Sequence, residues 1–148
     1  MNRPGRLQAA VAEALLELTQ TLWEMQYSQH RNAQPLTARD FVTLSALREA
    51  SLHVGDIGKR LRVLPAQMSR IVDRLESGFD EPLISCRIDE EDRRRIKVTL
   101  TPAGHRMLDV VRRSKLIPIR KAVNELDDQA CRHLLSVIEQ VQDRLRGS

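Results

Sequence analysis

Gln67, Ser69, Arg70 and Arg74 stand on one side of the stretch Pro65–Ser77, while Met68, Ile71, Val72 and Leu75 stand on the other. The apolar set is spaced i, i+3, i+4, i+7, the mark of a helix with one buried face. Its outward face carries groups that read base edges. Arginine pairs bidentately with guanine, glutamine pairs with adenine, and a small side chain such as Ala66 can meet a thymine methyl. Arg74, one turn beyond Arg70, is better placed for a phosphate. A second charged group follows at Asp89–Arg95, where four acidic residues run into Arg93, Arg94 and Arg95. Each group has a plainer reading as well. A polar helix face is the usual state of any surface helix, and a mixed-charge loop forms only weak surface ion pairs.

Other reactive residues are scattered. His30, His53, His105 and His133 read as surface or satisfied histidines rather than metal ligands. Asp89–Asp92 lacks the spacing of a calcium loop. Cys86 and Cys131 fit no metal or redox spacing. Basic neighbours could lower the pKa of Cys86, but its place in a strand makes a small packed residue the preferred reading. Cys131, on a helix, reads as a core filler. The sequence shows no glycine-rich phosphate loop and no nucleophile–base pattern. No catalytic residue, metal or cofactor is expected.

The elements that must hold these groups follow from periodicity. Leu7, Val11, Leu15, Leu18, Leu22 and Met25 mark one face of a long helix from about Arg6 to His30, ended by Asn32–Pro35. Thr37 opens the next helix, with Asp40 completing an approximate capping box. Phe41, Leu44 and Leu47 form its apolar stripe. A short helix from about Val54 to Leu61 presents Ile57 and Leu61 inward, and Gly58 on that face would admit a neighbouring helix closely. A turn at Arg62 and Val63 leads into the Pro65–Ser77 helix, which Gly78 ends. The period then changes to two. Leu83–Ile88 and Arg95–Leu100 read as the strands of a hairpin with the charged run at its tip. Thr101 and Pro102 start another helix, which Pro118 should kink or break. Asp127 caps the last helix, with Leu134, Leu135, Ile138, Val141 and Leu145 as its stripe.

This order makes a mainly α protein with a small β-hairpin wing, a winged helix-turn-helix with long N- and C-terminal dimerisation helices. The expected division is 1–36 for the N-terminal dimerisation helix, 37–100 for the winged helix-turn-helix and 101–148 for the C-terminal dimerisation helices. The flanking helices are too apolar to be satisfied in one small subunit, so a homodimer is expected. The chain has 148 residues, 41% of them apolar and only 3% aromatic, which favours a helical core over a sandwich or barrel. Its net charge of +4 is compatible with nucleic acid. No apolar run approaches a membrane span, and no secretory signal is recognised. A cytoplasmic protein without membrane contact is expected.

The sequence resembles the MarR family of regulators (multiple antibiotic resistance regulators). The resemblance runs from Leu7 onward. It is carried by Leu83-Ile84, by Asp89-Glu90-Glu91-Asp92-Arg93-Arg94, and by Val98-Thr99-Leu100-Thr101-Pro102-Ala103-Gly104. Met68–Glu76 resembles the family's recognition helix. The resemblance implies that Arg94 reaches a DNA minor groove while Asp92 braces it. A narrow groove concentrates negative potential, and a brace limits the entropy a long side chain loses on binding. Four places depart from the family: Phe79–Pro82 reads as an insertion that bears on the wing's angle, Cys86 replaces a common Arg, Leu64 replaces a capping residue, and Gly58 replaces an Ala.

The expected function is a sequence-specific DNA-binding transcription regulator, by preference a repressor. It would act as a homodimer on an inverted repeat in double-stranded DNA. Residues Ala66, Gln67, Ser69, Arg70, Arg74, Asp92, Arg93, Arg94 and Arg95 are the expected contacts. The resemblance implies release by a small-molecule effector, and Trp23, Tyr27 and Phe41 are the aromatics near its expected pocket. A winged helix used only to bind protein, and an enzyme whose site is invisible in sequence, are the competing readings. Arginines on both the helix face and the wing tip weigh against the former.

Overall fold

The computed structural model describes residues 5–27 and 36–147, apart from the side chains of Trp23, Gln26 and Tyr27. In chain order the elements are α1 (Arg6–Tyr27), α2 (Ala38–Ala46), β1 (Leu52–His53), α3 (Val54–Leu61), α4 (Pro65–Ser77), β2 (Ile84–Ile88), β3 (Ile96–Leu100), α5 (Pro102–Val123) and α6 (Asp128–Arg146). This is the mainly helical winged helix-turn-helix that the periodicities predict. The proposed end of the first helix, at His30 and Asn32–Pro35, lies outside the described residues.

Local chemistry sets most boundaries. The Thr37 hydroxyl accepts the Asp40 N–H at 3.1 Å, and the Asp40 carboxylate accepts the Thr37 N–H at 2.8 Å. This capping box satisfies two donors that the start of α2 would otherwise leave open. Arg62 ends α3 in the left-handed region at φ 53°. The reversal lets the Val63 N–H reach the Gly58 carbonyl at 3.0 Å and turns the chain into α4. Thr101 caps α5 through the Gly104 N–H, and Asp127 caps α6 through the Ala130 N–H.

The core gathers Leu44 and Leu47 of α2, Ile57 of α3, and Met68, Ile71 and Leu75 of α4. Leu83, Ile84 and Val98 close it from the sheet side, and Leu108 of α5 completes it. Each such side chain contributes roughly 1.5–3 kcal/mol on leaving water. The α2 stripe is turned by one position from the expected one: Asp40 and Thr43 are buried with Leu44 and Leu47, while Phe41 is half-buried.

The structure corrects three further expectations. A third strand, β1, pairs antiparallel with β3, so the sheet order is β1-β3-β2. Two residues are too short to show a period, and only the partner strand makes them a strand. Pro118 lies inside α5 without breaking it. Its ring removes the hydrogen bond to the carbonyl four residues back and crowds that carbonyl, yet the helix continues and is closed beyond it by the Asn124 N–H to the Arg120 carbonyl at 2.9 Å. Gly58 does lie beside α4, but a methyl there would meet Met68 at an ordinary 3.7 Å, so the packing does not require glycine.

The long flanking helices differ from the core. No described side chain of α6 is fully buried, and Leu134, Leu135 and Leu145 are exposed on it. Leu7, Val11, Leu15 and Leu18 are exposed on α1. Among the described residues, no helix is long and apolar enough to cross a membrane.

Candidate nucleic-acid interface

The α4 helix is held by its apolar face and presents the other face outward. Met68, Ile71 and Leu75 are buried, whereas Ala66, Ser69, Arg70 and Arg74 are exposed and Gln67 is half-buried. Leu64 stands at the N-cap with no acceptor to offer. Gln67 compensates from inside the helix: its Oε1 accepts the Leu64 N–H at 3.1 Å. The glutamine amide nitrogen is left for another partner.

Arg74 has a fixed partner that its spacing alone does not reveal. Its Nε lies 3.0 Å from Asp40 Oδ2, and Asp40 is only 1% exposed. The guanidinium also lies over the Phe79 ring, 5.8 Å from the centroid. One carboxylate therefore caps α2 and anchors the outer face of α4.

The wing is a two-stranded ladder running from Ile84↔Leu100 to Ile88↔Ile96. Its tip is folded around two aspartates. Asp89 Oδ1 accepts the Glu91 N–H at 2.8 Å and the Asp92 N–H at 3.4 Å. Asp92 Oδ1 accepts both the backbone N–H and the Nε–H of Arg94, at 3.1 and 3.2 Å. Arg94 is 91% exposed. The tip therefore points a charged group into solvent while one carboxylate steadies its stem.

The base of the wing is tied to α3. Arg95 Nη2 pairs with Asp56 Oδ2. His53 Nε2 meets Asp89 Oδ2, and His53 Nδ1 lies 3.4 Å from Asp56 Oδ2. The hydrogen bond with His53, followed by the Glu91 N–H, pulls the Asp89 carboxyl down to about 2. His53 and Asp56 were not among the expected site residues, because β1, which carries His53 to this place, has no signal of its own.

The Phe79–Pro82 segment is anchored at both ends. The Leu83 N–H reaches the Leu75 carbonyl at 2.8 Å, the Thr101 hydroxyl reaches the Pro82 carbonyl at 2.6 Å, and Arg106 pairs with Glu81 at 2.7 Å. Arg87 and Lys97 stand directly opposite each other in the β2–β3 ladder, both exposed. Neither makes an ion pair with a carboxylate among the described residues.

Of the expected effector aromatics, the side chains of Trp23 and Tyr27 lie outside the described residues. Phe41 is half-buried, with Lys115 Nζ 4.9 Å from its ring centroid. Burial pushes the Lys115 ammonium down. Cys86 packs against the core, and burial, then Glu76 and Asp73, push its thiol up. A raised pKa keeps it a thiol, in line with the packed role expected. Cys131 is half-buried on α6 rather than in the core.

No family model matches the sequence, and no curated protein matches it. Solved structures match it over nearly the whole chain. A MarR family protein from Bacillus stearothermophilus superposes with a TM-score of 0.82 at 19% identity, covering 97% of this chain and 99% of that one. FabT from Streptococcus pneumoniae, solved in complex with DNA, gives 0.76 at 14% identity over 94% and 97%. AbsC from Streptomyces coelicolor, a MarR family transcriptional regulator, gives 0.72 at 19% over 100% of both chains. The chain is a winged helix-turn-helix protein with the fold of the MarR family.

Proposed function

We propose that this chain is a sequence-specific, DNA-binding transcription regulator, a repressor acting as a homodimer on an inverted repeat. The observation that carries the reading is the Asp92-steadied, 91% exposed Arg94 on a wing that shares its core with α4, whose other face is turned outward. In this arrangement Ala66, Gln67, Ser69 and Arg70 enter the major groove, and Arg93 and Arg94 reach the flanking minor groove. Arg95 and Arg74 act differently from the rest. Each is engaged with an aspartate and positions its element, and the exposed part of each guanidinium faces a phosphate. FabT's capture in complex with DNA supports the same reading.

Dimerisation uses α1, α5 and α6. The exposed leucines of α1 and α6 amount to an apolar face that water disfavours, and a second copy covers it symmetrically. Residues 37–100 then form the DNA-binding unit, and 1–36 and 101–148 the arms. An effector that releases DNA sits beside Phe41 and Lys115, where a partly dehydrated ammonium over a ring suits an anionic aromatic compound. The chain performs no chemistry of its own and works in the cytoplasm.

Selection from a random duplex library tests this. Enrichment of an inverted repeat, with half-sites about one helical turn apart, supports a symmetric DNA-reading dimer. Absence of retention even at low salt overturns the reading and favours a protein-binding winged helix.

A further inference from the structure

Among the described residues, His53 is the one side chain that touches both carboxylates at the base of the wing. One belongs to α3, at Asp56, and the other to the end of the wing strand, at Asp89. The ring is only 22% exposed and Asp89 only 13%. Asp56 also holds Arg95, the residue preceding β3. Both strands of the wing thus end on a small charged cluster centred on α3. From β3, Lys97 faces His53 in the ladder, with Arg87 of β2 beyond it.

An imidazole between two carboxylates has two distinct states. The protonated ring carries two N–H donors. Nε2 gives Asp89 a charge-assisted hydrogen bond, and Nδ1 holds positive charge 3.4 Å from Asp56 Oδ2. The neutral ring keeps a single N–H. One nitrogen then turns a lone pair toward a carboxylate oxygen, which repels it. Histidine is the side chain whose ordinary ionisation lies near neutral pH. Asp56 and Asp89 face the ring with negative charge, Arg95 and Lys97 stand beside it with positive charge, and DNA phosphates arriving at the wing bring further negative charge.

We infer that His53 is a positioning residue whose protonation fastens the wing to α3, so that DNA affinity rises as pH falls through neutrality. This inference rests on the DNA-binding reading and names a regulation of that same interface. With the latch fastened, Arg94 approaches the groove from a fixed base. With it open, the Asp89 end of the wing is released while Arg95–Asp56 and the core contacts of Ile84 and Val98 remain, and ordering that end is charged against binding. The depressed carboxyl of Asp89 agrees with a strong bond from His53.

The test is the affinity for the library-selected duplex, fluorescently labelled, from about pH 6 to about pH 8 at constant ionic strength. Wild type should weaken on the order of three- to tenfold across this range. His53→Gln keeps an amide donor but cannot titrate, and its profile should be flat. Arg94→Ala should bind more weakly at every pH yet keep the wild-type slope. A flat wild-type profile, or an undiminished slope in His53→Gln, overturns the inference while leaving DNA binding in place. If no duplex is retained at any pH, the DNA-binding reading falls, and amide resonances of the free protein decide the latch. Wing-tip amides of Asp92 and Arg94 should then shift with the titration of the His53 ring. Stationary amides overturn it.

Discussion

Arg74 reaches across from the outer face of α4 to the buried carboxylate of Asp40 at 3.0 Å, and Asp40 also caps α2. The pair fixes α4 against the helix that supports it. A buried charge that loses its partner is costly, and a lost cap adds about 0.5–2 kcal/mol. Asp40→Ala should therefore destabilise the fold by roughly 2–4 kcal/mol. Arg74→Ala leaves the buried Asp40 carboxylate without its cation, held only by its hydrogen bond from the Thr37 N–H, and should cost roughly 2–4 kcal/mol. A double-mutant cycle in urea measures the coupling. An Arg74→Ala protein as stable as wild type would return Arg74 to the free phosphate contact that its spacing suggests.

Arg94 gains nothing for the fold from its position, being 91% exposed. Arg94→Ala should leave the melting temperature and dimerisation unchanged and should weaken DNA binding at least tenfold, about 1.4 kcal/mol or more. Asp92→Ala should give a smaller loss, since it frees the arginine without removing it. Arg70→Ala should cost roughly 1–3 kcal/mol and relax preference at one or two base pairs. Wild-type affinity in Arg94→Ala would show that the wing tip is not a contact.

Arg87 and Lys97 face each other across two strands with like charge, an arrangement that costs a few tenths of a kcal/mol without an anion nearby. Lys97→Ala should therefore act in opposite directions on the two properties. Stability should rise by about 0.2–1 kcal/mol. The slope of log affinity against log salt should fall by about 0.9, the share of one phosphate contact. An unchanged slope would place this pair outside the DNA footprint.

Much of this was legible in the sequence because it rests on period and punctuation. The limits of α3 and α4 follow from the i, i+3, i+4 stripe and from Pro65 and Gly78. The pairing of Asp92 with Arg94 is what the resemblance to the MarR family implies, not something that two residues show by their spacing. The parts that escaped are non-local. β1 exists because β3 is its partner, and His53 matters because β1 carries it to Asp89, 36 residues on. Arg74 appeared free because its partner lies on another helix. A signal for that partner was present: Asp40, Leu44 and Leu47 share one helix face, and a carboxylate on a buried stripe requires a cation.

Asp89 contributes a pH-dependent share of stability of definite sign. Its folded carboxyl titrates at about 2, against an ordinary value of 3.8. A depressed carboxyl favours the native state above its unfolded pKa, and that benefit disappears as pH falls through the folded one. Asp89→Asn lacks the carboxylate throughout. The difference in melting temperature between wild type and Asp89→Asn should hold between about pH 4 and about pH 6, below the proposed transition of His53, and shrink from about pH 4 toward about pH 2. His53→Ala should move the Asp89 carboxyl resonance toward the ordinary titration range. A constant difference down to the lowest pH would show that the His53 bond does not bias Asp89.

Two helical glycines, Gly104 in α5 and Gly58 in α3, should respond oppositely to alanine. A Cβ on Gly104 would lie 2.0 Å from the Leu83 carbonyl oxygen and 3.1 Å from Leu100 Cδ2. The backbone of Leu83 is itself held by the Thr101 N–H and by its own bond to Leu75, so it cannot retreat without releasing the start of the wing. Gly104→Ala should destabilise by roughly 1–3 kcal/mol or more and weaken DNA binding through displacement of the wing. At Gly58 the nearest atoms to a Cβ are Met68 Cγ at 3.7 Å and Cβ at 3.8 Å, ordinary contacts that need no adjustment. Gly58→Ala should stabilise by about 0.5–1 kcal/mol, the difference in helix propensity. Denaturant midpoints of the two variants decide the matter, and a loss of stability at Gly58 would mean that α3 and α4 pack more closely than these distances allow.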